Sequence, residues 1–225
     1  MPVFCYITDR RSFSGDESTR CHRLLEKIAE ATRCGVDYIQ LREKDLSGRE
    51  LETLTREAVR TVRENTRLKT EDGKPGTAVL VNSRTDIALS CKANGVHLRS
   101  DDVSPKEVRA IWGRSVSLFA RDHSPISPIV SVACHTSENV AKAETDGVDF
   151  AIFAPVFEKK DSPAARPAGL TLLRQACQAR IPVLALGGIT VTNVQSCLEA
   201  GAAGIAAIRL FQDNDIAEVV RELRR

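Results

Sequence analysis

Tyr38-Ile39-Gln40-Leu41-Arg42-Glu43-Lys44 holds a short strand-like run, Tyr38 to Arg42, and sets an amide and two cations on alternating positions at its end. Residues two apart on a β-strand share a face, so Gln40, Arg42 and Lys44 are expected to converge where this strand ends. Two cations beside an amide suit a multiply charged anion such as pyrophosphate. A solvated basic strand end has the same residues, and the rest of the chain has to decide between the two.

Seven further short apolar runs accompany this one: Val3 to Thr8, Ala78 to Val81, Gly95 to Leu98, Ile129 to Ala133, Phe150 to Phe153, Val183 to Leu186 and Gly204 to Ala207. Amphipathic stretches separate them. Leu24, Leu25, Ile28 and Ala29 form one helical face, with Gly35 placed to end the helix. Ser47 with Glu50, and Ser104-Pro105-Lys106-Glu107, carry capping-box signatures. Leu51, Leu54, Ala58 and Val62 continue the first of these as a helical stripe. Eight strand-like runs alternating with helices in 225 residues predict an α/β fold, a single (β/α)8 TIM barrel over 1–225. Two stretches exceed a minimal barrel. Residues 67–76, charged and containing Gly and Pro, are expected as a loop insertion, and so are 115–128, where Val116 to Phe119 forms an apolar run that reads as an extra strand or a false one.

Hydrophobic content of 42% is enough for a core, and a net charge of +2 from 32 basic and 30 acidic residues leaves no global field for nucleic acid or a membrane. Phosphate recognition therefore has to be local. The seven cysteines are odd in number and free of CxxC pairs, which speaks against a disulfide framework or a zinc site and for reduced thiols. No basic and long apolar leader precedes Val3, and no run reaches membrane-spanning length, so a cytoplasmic protein is expected.

A barrel of this kind builds its active site from the carboxyl ends of the strands and the loops that follow. Strand two brings Gln40, Arg42 and Lys44, strand three Asn82 and Ser83, strand four leads to Asp101-Asp102, and strand five ends at His135. Strand six opens into a loop with Lys159 and Lys160 and a nearby Gly169, strand seven ends in Gly187-Gly188, and strand eight in Ile208-Arg209. Asp101 and Asp102 read as hard oxygen ligands for Mg2+ or as an acidic start to the helix after Ser104. Gly187-Gly188 read as a backbone cradle for phosphate or as a tight turn. His135 reads as an acid/base group or as an imidazole that orders its loop. The two lysines read as a lid over an anion or as a solvated charge run.

Several pieces in this order resemble one family: Tyr6-Ile7-Thr8-Asp9, the Gln-x-Arg-Glu-Lys from Gln40, Asn82 with Asp86-Ile87-Ala88-Leu89, Gly95-Val96-His97-Leu98, His135-Thr136 and Gly187-Gly188-Ile189. Together they resemble thiamine phosphate synthase and its relative thiazole tautomerase. The resemblance implies a transferase that joins hydroxymethylpyrimidine diphosphate to a thiazole phosphate and releases pyrophosphate, through a pyrimidine-methyl cation that the thiazole nitrogen captures. It assigns pyrophosphate to Arg42, Lys44, Asn82 and Lys160, with Gln40 near the pyrimidine. Gly169, Gly187, Gly188, Ile208 and Arg209 join the binding residues, the last four toward the thiazole phosphate. His135 is the acid/base residue of the tautomerase alternative, and a non-catalytic binder of thiamine precursors is the third reading. The implied Mg2+ falls to Asp102, with Asp101 and Ser83 as further candidates. The implied partners are small phosphorylated molecules, and a homodimer is expected, with Phe119 or Trp112 as contact residues.

The chain departs from the family's pattern at several of these positions. Ser83 stands where the synthases carry a second metal-binding Asp, Ala133 and Cys134 precede His135, and the lid is reduced to Glu158-Lys159-Lys160. Arg99-Ser100 replace Gly-Gln before the acidic pair, and Arg209 replaces a small polar residue, so either arginine is a candidate phosphate ligand.

Overall fold

The computed structural model describes residues 1–66, 76–99, 101–119, 127–158 and 166–224, with the side chains of 116–119 excepted. Eight strands follow one another as β1 (Val3–Ile7), β2 (Tyr38–Leu41), β3 (Ala78–Asn82), β4 (Gly95–Leu98), β5 (Ile129–Cys134), β6 (Phe150–Phe153), β7 (Val183–Leu186) and β8 (Gly204–Ala207). Each pairs in parallel with its sequence neighbours, and β8 returns to β1, so the sheet closes on itself. The expected (β/α)8 barrel is the fold.

Helices α1 (Glu17–Arg33), α2 (Gly48–Thr66), α3 (Thr85–Ser90), α4 (Pro105–Phe119), α5 (Ser137–Thr145), α6 (Gly169–Ala176), α7 (Val194–Glu199), α8 (Arg209–Gln212) and α9 (Ile216–Leu223) occupy the connections. The capping boxes form as read. The Ser47 N–H donates to Glu50 Oε2 at 2.8 Å while the Glu50 N–H donates to Ser47 Oγ at 3.3 Å, and Ser104 and Glu107 repeat the exchange at 2.8 and 3.3 Å. Helix α1 ends with Gly35 N–H on Thr32 O and Val36 N–H on Ala31 O, the paired bonds of a Schellman motif. Its buried stripe is Leu24, Ile28, Ala31 and Thr32, which leaves Leu25 and Ala29 only half-buried.

Two expectations change here. Val116 to Phe119 is the last turn of α4 and not a strand, because the helix started by the Ser104 box runs on through it. The second insertion therefore begins after Phe119. Residues 120–126 and 67–75 lie outside the described residues. Trp112 is only 4% exposed and packs in the core, so it cannot supply the dimer contact expected of it.

Two apolar layers hold the barrel. The larger lies between strands and helices, and the smaller fills the lumen with Cys5, Ile7, Leu80, Phe150, Ile152, Leu184 and Ala206. Strands covered on both sides in this way read as unbroken apolar runs. Tyr38 and Phe150, the first residues of β2 and β6, stack with ring centroids 4.6 Å apart and plug the amino end of the lumen. No disulfide joins the cysteines. Burial pushes the Cys134, Cys177 and Cys197 thiols up to about 11, which keeps them protonated and unreactive at neutral pH.

Candidate active site

Every strand contributes to one cavity of about 510 Å3 at the carboxyl end of the barrel. That volume suits a small organic ligand. Gln40, Arg42, Lys44, Asn82, His135, Gly187, Gly188, Ile208 and Arg209 all line it. So do Asp9, His97 and Arg99. Among the described residues its charged lining is four cations, Arg42, Lys44, Arg99 and Arg209, against the carboxylate of Asp9. Such a surplus inside a concave wall concentrates anions.

The alternation at the end of β2 continues past the last ladder bond because both faces are held. On the cavity side Gln40 Nε2 donates to Asn82 Oδ1 at 3.0 Å, and Asn82 Nδ2 donates to Ser83 Oγ at 3.0 Å. Gln40 Oε1 is buried with no hydrogen-bond partner, an acceptor at the cavity wall that a ligand N–H would satisfy. On the opposite side Glu43 turns away into a buried network. Thr8 Oγ1 donates to Glu43 Oε1 at 2.6 Å and accepts the Arg42 N–H at 3.0 Å. Arg10 donates from Nη1 to Glu43 Oε2 at 3.1 Å, grips Asp45 with two bonds of 2.8 and 2.9 Å, and reaches Glu17 through Nε at 2.5 Å. The Arg10 and Glu43 side chains are 3% and 1% exposed. The Arg10 hydrogen bonds hold the Asp45 carboxyl below the usual range. This network anchors the segment that carries Arg42 and Lys44, and only the fold assembles it, from β1 and the end of β2.

His97, the third residue of β4, faces the lumen, with Nδ1 2.9 Å from Ser131 Oγ. The sequence names it only as part of the Gly95-Val96-His97-Leu98 strand and not as a site residue, although a polar residue inside that apolar run was the available signal. Burial, followed by the charge of Arg42, holds its imidazole down to about 4. The native ring is therefore neutral. Between the ordinary value of 6.5 and about 4, the unfolded chain takes up a proton that the folded chain refuses. Stability is then expected to fall by about 3 kcal/mol as pH drops through that window. Urea midpoints measured from pH 7 to 4 check this. His97→Gln is expected to flatten the profile, and an unchanged slope would place the acid sensitivity elsewhere.

His135 stands at the rim. Its Nδ1 lies 2.6 Å from Ala154 O, and since a carbonyl can only accept, that nitrogen carries the hydrogen. In the neutral ring Nε2 is then the acceptor, the tautomer a general base needs.

Gly187 and Gly188 have φ of +104° and +62°. A Cβ on Gly188 would sit 2.5 Å from Glu158 O and 2.8 Å from Phe157 Cβ, so the glycine pair lets the loops after β6 and β7 close on each other. Gly188→Ala is expected to lose about 2–5 kcal/mol of stability, from the left-handed backbone and the overpacking together. Guanidinium unfolding checks this, and an unchanged midpoint would mean the two loops can part without loss.

The remaining candidates fall elsewhere. Lys159 and Lys160 lie outside the described residues. Gly169 opens α6 and donates its N–H to Val156 O at 3.0 Å, away from the cavity lining. Asp101 and Asp102 do not line the central cavity, and Asp102 borders a smaller one of about 190 Å3 beside it, shared with Arg99. Asp102 Oδ2 accepts the Arg99 N–H at 2.7 Å, and Arg99 Nη2 lies 3.2 Å from Asp101 and 3.5 Å from Asp102. Ser83 Oγ already receives the Asn82 amide.

These donors do not fit a protein-held Mg2+. Among the described residues no three His, Cys, Asp or Glu side chains gather at a metal's distance. A guanidinium already sits on both carboxylates. A divalent ion about 4 Å from it would be repelled by about 2 kcal/mol even in a water-like dielectric.

The fold and the cavity define the class: a (β/α)8 barrel whose carboxyl-end loops enclose a cationic site of small-molecule size. Within that class the chain belongs to the thiamine monophosphate synthase family, whose model matches residues 5–211. It is 35% identical over 212 residues to a putative thiamine-phosphate synthase 2 of Aquifex aeolicus, covering 94% of this chain and 98% of that one. It is 34% identical over 225 residues to a thiamine-phosphate synthase of Caldanaerobacter subterraneus, covering 97% and 92%. A solved structure of thiamine phosphate pyrophosphorylase from Pyrococcus furiosus superposes with a TM-score of 0.72 at 26% identity, over 99% of this chain and 93% of that chain.

Proposed function

We propose that this chain is a thiamine-phosphate synthase, a transferase that joins hydroxymethylpyrimidine diphosphate to hydroxyethylthiazole phosphate and releases pyrophosphate. The observation that carries the reading is the convergence of Gln40, Arg42, Lys44 and Asn82 on a cavity whose described lining has four cations and one carboxylate, in a chain of this family. The carbon–oxygen bond between the pyrimidine methylene and the diphosphate breaks, and its electron pair leaves with the pyrophosphate. The thiazole nitrogen lone pair then forms the new carbon–nitrogen bond to the methylene. Arg42 and Lys44 stabilise the charge that develops on the departing oxygen, and the cavity holds the two rings in line. Gln40 Oε1 accepts an N–H from the pyrimidine's substituents. Gly187, Gly188, Ile208 and Arg209, from the loops after β7 and β8, take the thiazole phosphate, the usual place for phosphate in this fold.

The cytosol is the proposed compartment, supported by seven cysteines outside any disulfide. No helix among the described residues is long and apolar enough to cross a membrane. Small phosphorylated molecules are the proposed partners, with a homodimer as the assembly that light scattering would test.

A second reading, thiazole tautomerase, is favoured by one observation, the Nδ1–H tautomer of His135 that leaves Nε2 as a base. Purified protein given both substrates and Mg2+ is expected to form thiamine phosphate and pyrophosphate together, followed by chromatography. Neither product, with equilibration of the two thiazole carboxylate phosphate tautomers, would establish the second reading. Binding of both substrates without turnover would make the chain a binder of thiamine precursors.

A further inference from the structure

We propose that Arg99 takes the place of a protein-held divalent cation in this chain, binding the diphosphate directly while Asp101 and Asp102 aim its guanidinium. This rests on the synthase reading above.

Three features carry it. Arg99 follows β4 and lines both the central cavity and the smaller one beside it, so its head lies at the boundary between the acidic pair and the cationic site. Both ion pairs, with Asp101 and Asp102, go through Nη2. The Asp102 carboxylate also accepts the Arg99 backbone N–H at 2.7 Å and so fixes the turn from which the side chain springs. The Nε–H and the Nη1–H groups take no part in these ion pairs and are single, charge-assisted donors for phosphate oxygens on different sides of the guanidinium. The side chain is 52% exposed, so a ligand can reach it. Finally, Ser83 holds no charge and is engaged by Asn82, so the neighbouring strand provides no second carboxylate to draw a metal in.

A guanidinium is always charged, so it stabilises a diphosphate without a bound ion. With Arg42 and Lys44 it makes three of the cations that line the cavity. Asp102 thereby acts as a positioning residue for Arg99.

The test measures binding of inorganic pyrophosphate to the full-length protein by calorimetry, once in EDTA and once in Mg2+. The wild type is expected to bind in EDTA, and Arg99→Ala to weaken that binding roughly 10- to 100-fold. Arg99→Gln, which keeps hydrogen bonding but not charge, is expected to lose nearly as much and guards against a folding artefact. Binding by the wild type only in Mg2+, or unchanged binding in EDTA by both variants, would overturn the proposal. Thiamine phosphate formation is followed in the same samples. Its absence in both buffers would retire the synthase reading, while the pyrophosphate titration still decides the role of Arg99.

Discussion

Lys44→Ala is expected to lower kcat roughly a hundred- to a thousand-fold while leaving the affinity for thiazole phosphate nearly unchanged. Lys44 stands two residues beyond Arg42, on the cavity side of a segment whose other side is pinned by Glu43. In the proposed reaction its ammonium meets the diphosphate end of the substrate, where negative charge grows as the carbon–oxygen bond breaks. An interaction that strengthens only as the bond breaks appears in kcat and not in the binding of the second substrate. Loss of one preorganised donor to a developing anion has effects of this size. Steady-state kinetics with both substrates varied, together with equilibrium binding of thiazole phosphate, separates the two quantities. Normal turnover in the variant would show that the diphosphate lies elsewhere in the cavity.

Arg10→Met is expected to destabilise the protein by about 3–5 kcal/mol, because it leaves the Glu43 carboxylate buried without its cation. For a chain of this length that corresponds to a Tm lower by about 10 °C. The network shows why the loss is large. Glu43 is 1% exposed in its side chain and has no solvent to fall back on, whereas Asp45 is 42% exposed. Asp45→Asn is accordingly expected to lose at most about 1 kcal/mol, since an exposed ion pair is weakened by water. Differential scanning calorimetry of the two variants checks the contrast. Activity adds a second readout, because Thr8 Oγ1 links Glu43 to the backbone N–H of Arg42. A looser network displaces Arg42 and Lys44, and kcat of Arg10→Met is expected to fall at temperatures where the variant is still folded.

The strands were legible residue by residue because a parallel barrel buries both faces of each strand. A short apolar run is then a complete description of it, and the runs from Gly95, Phe150, Val183 and Gly204 match the observed strands at both ends. The same criterion misled at Val116 to Phe119, where an apolar run belongs to a helix already under way. Trp112 misled in a related manner. A single large aromatic beside a presumed insertion looks like a contact residue until the packing of α4 buries it.

Gln40, Arg42 and Lys44 could be grouped from sequence alone because the pleat of a strand places alternate residues on one side over a few ångströms. Local geometry of that kind is written in the spacing. The closed ring of eight strands followed from the same local signals repeated along the chain. What the spacing could not hold was any relation between distant segments: Arg10 buried against Glu43, His97 against Ser131, and Arg99 turned onto the two aspartates that looked like metal ligands. Those pairings depend on which strand ends face each other across the barrel and on which charges lose their water there. Burial and charge compensation are properties of the assembled fold, so the tertiary structure decided what strand-end spacing could not, that His97 faces the cavity while Arg10 and Glu43 hold it in shape.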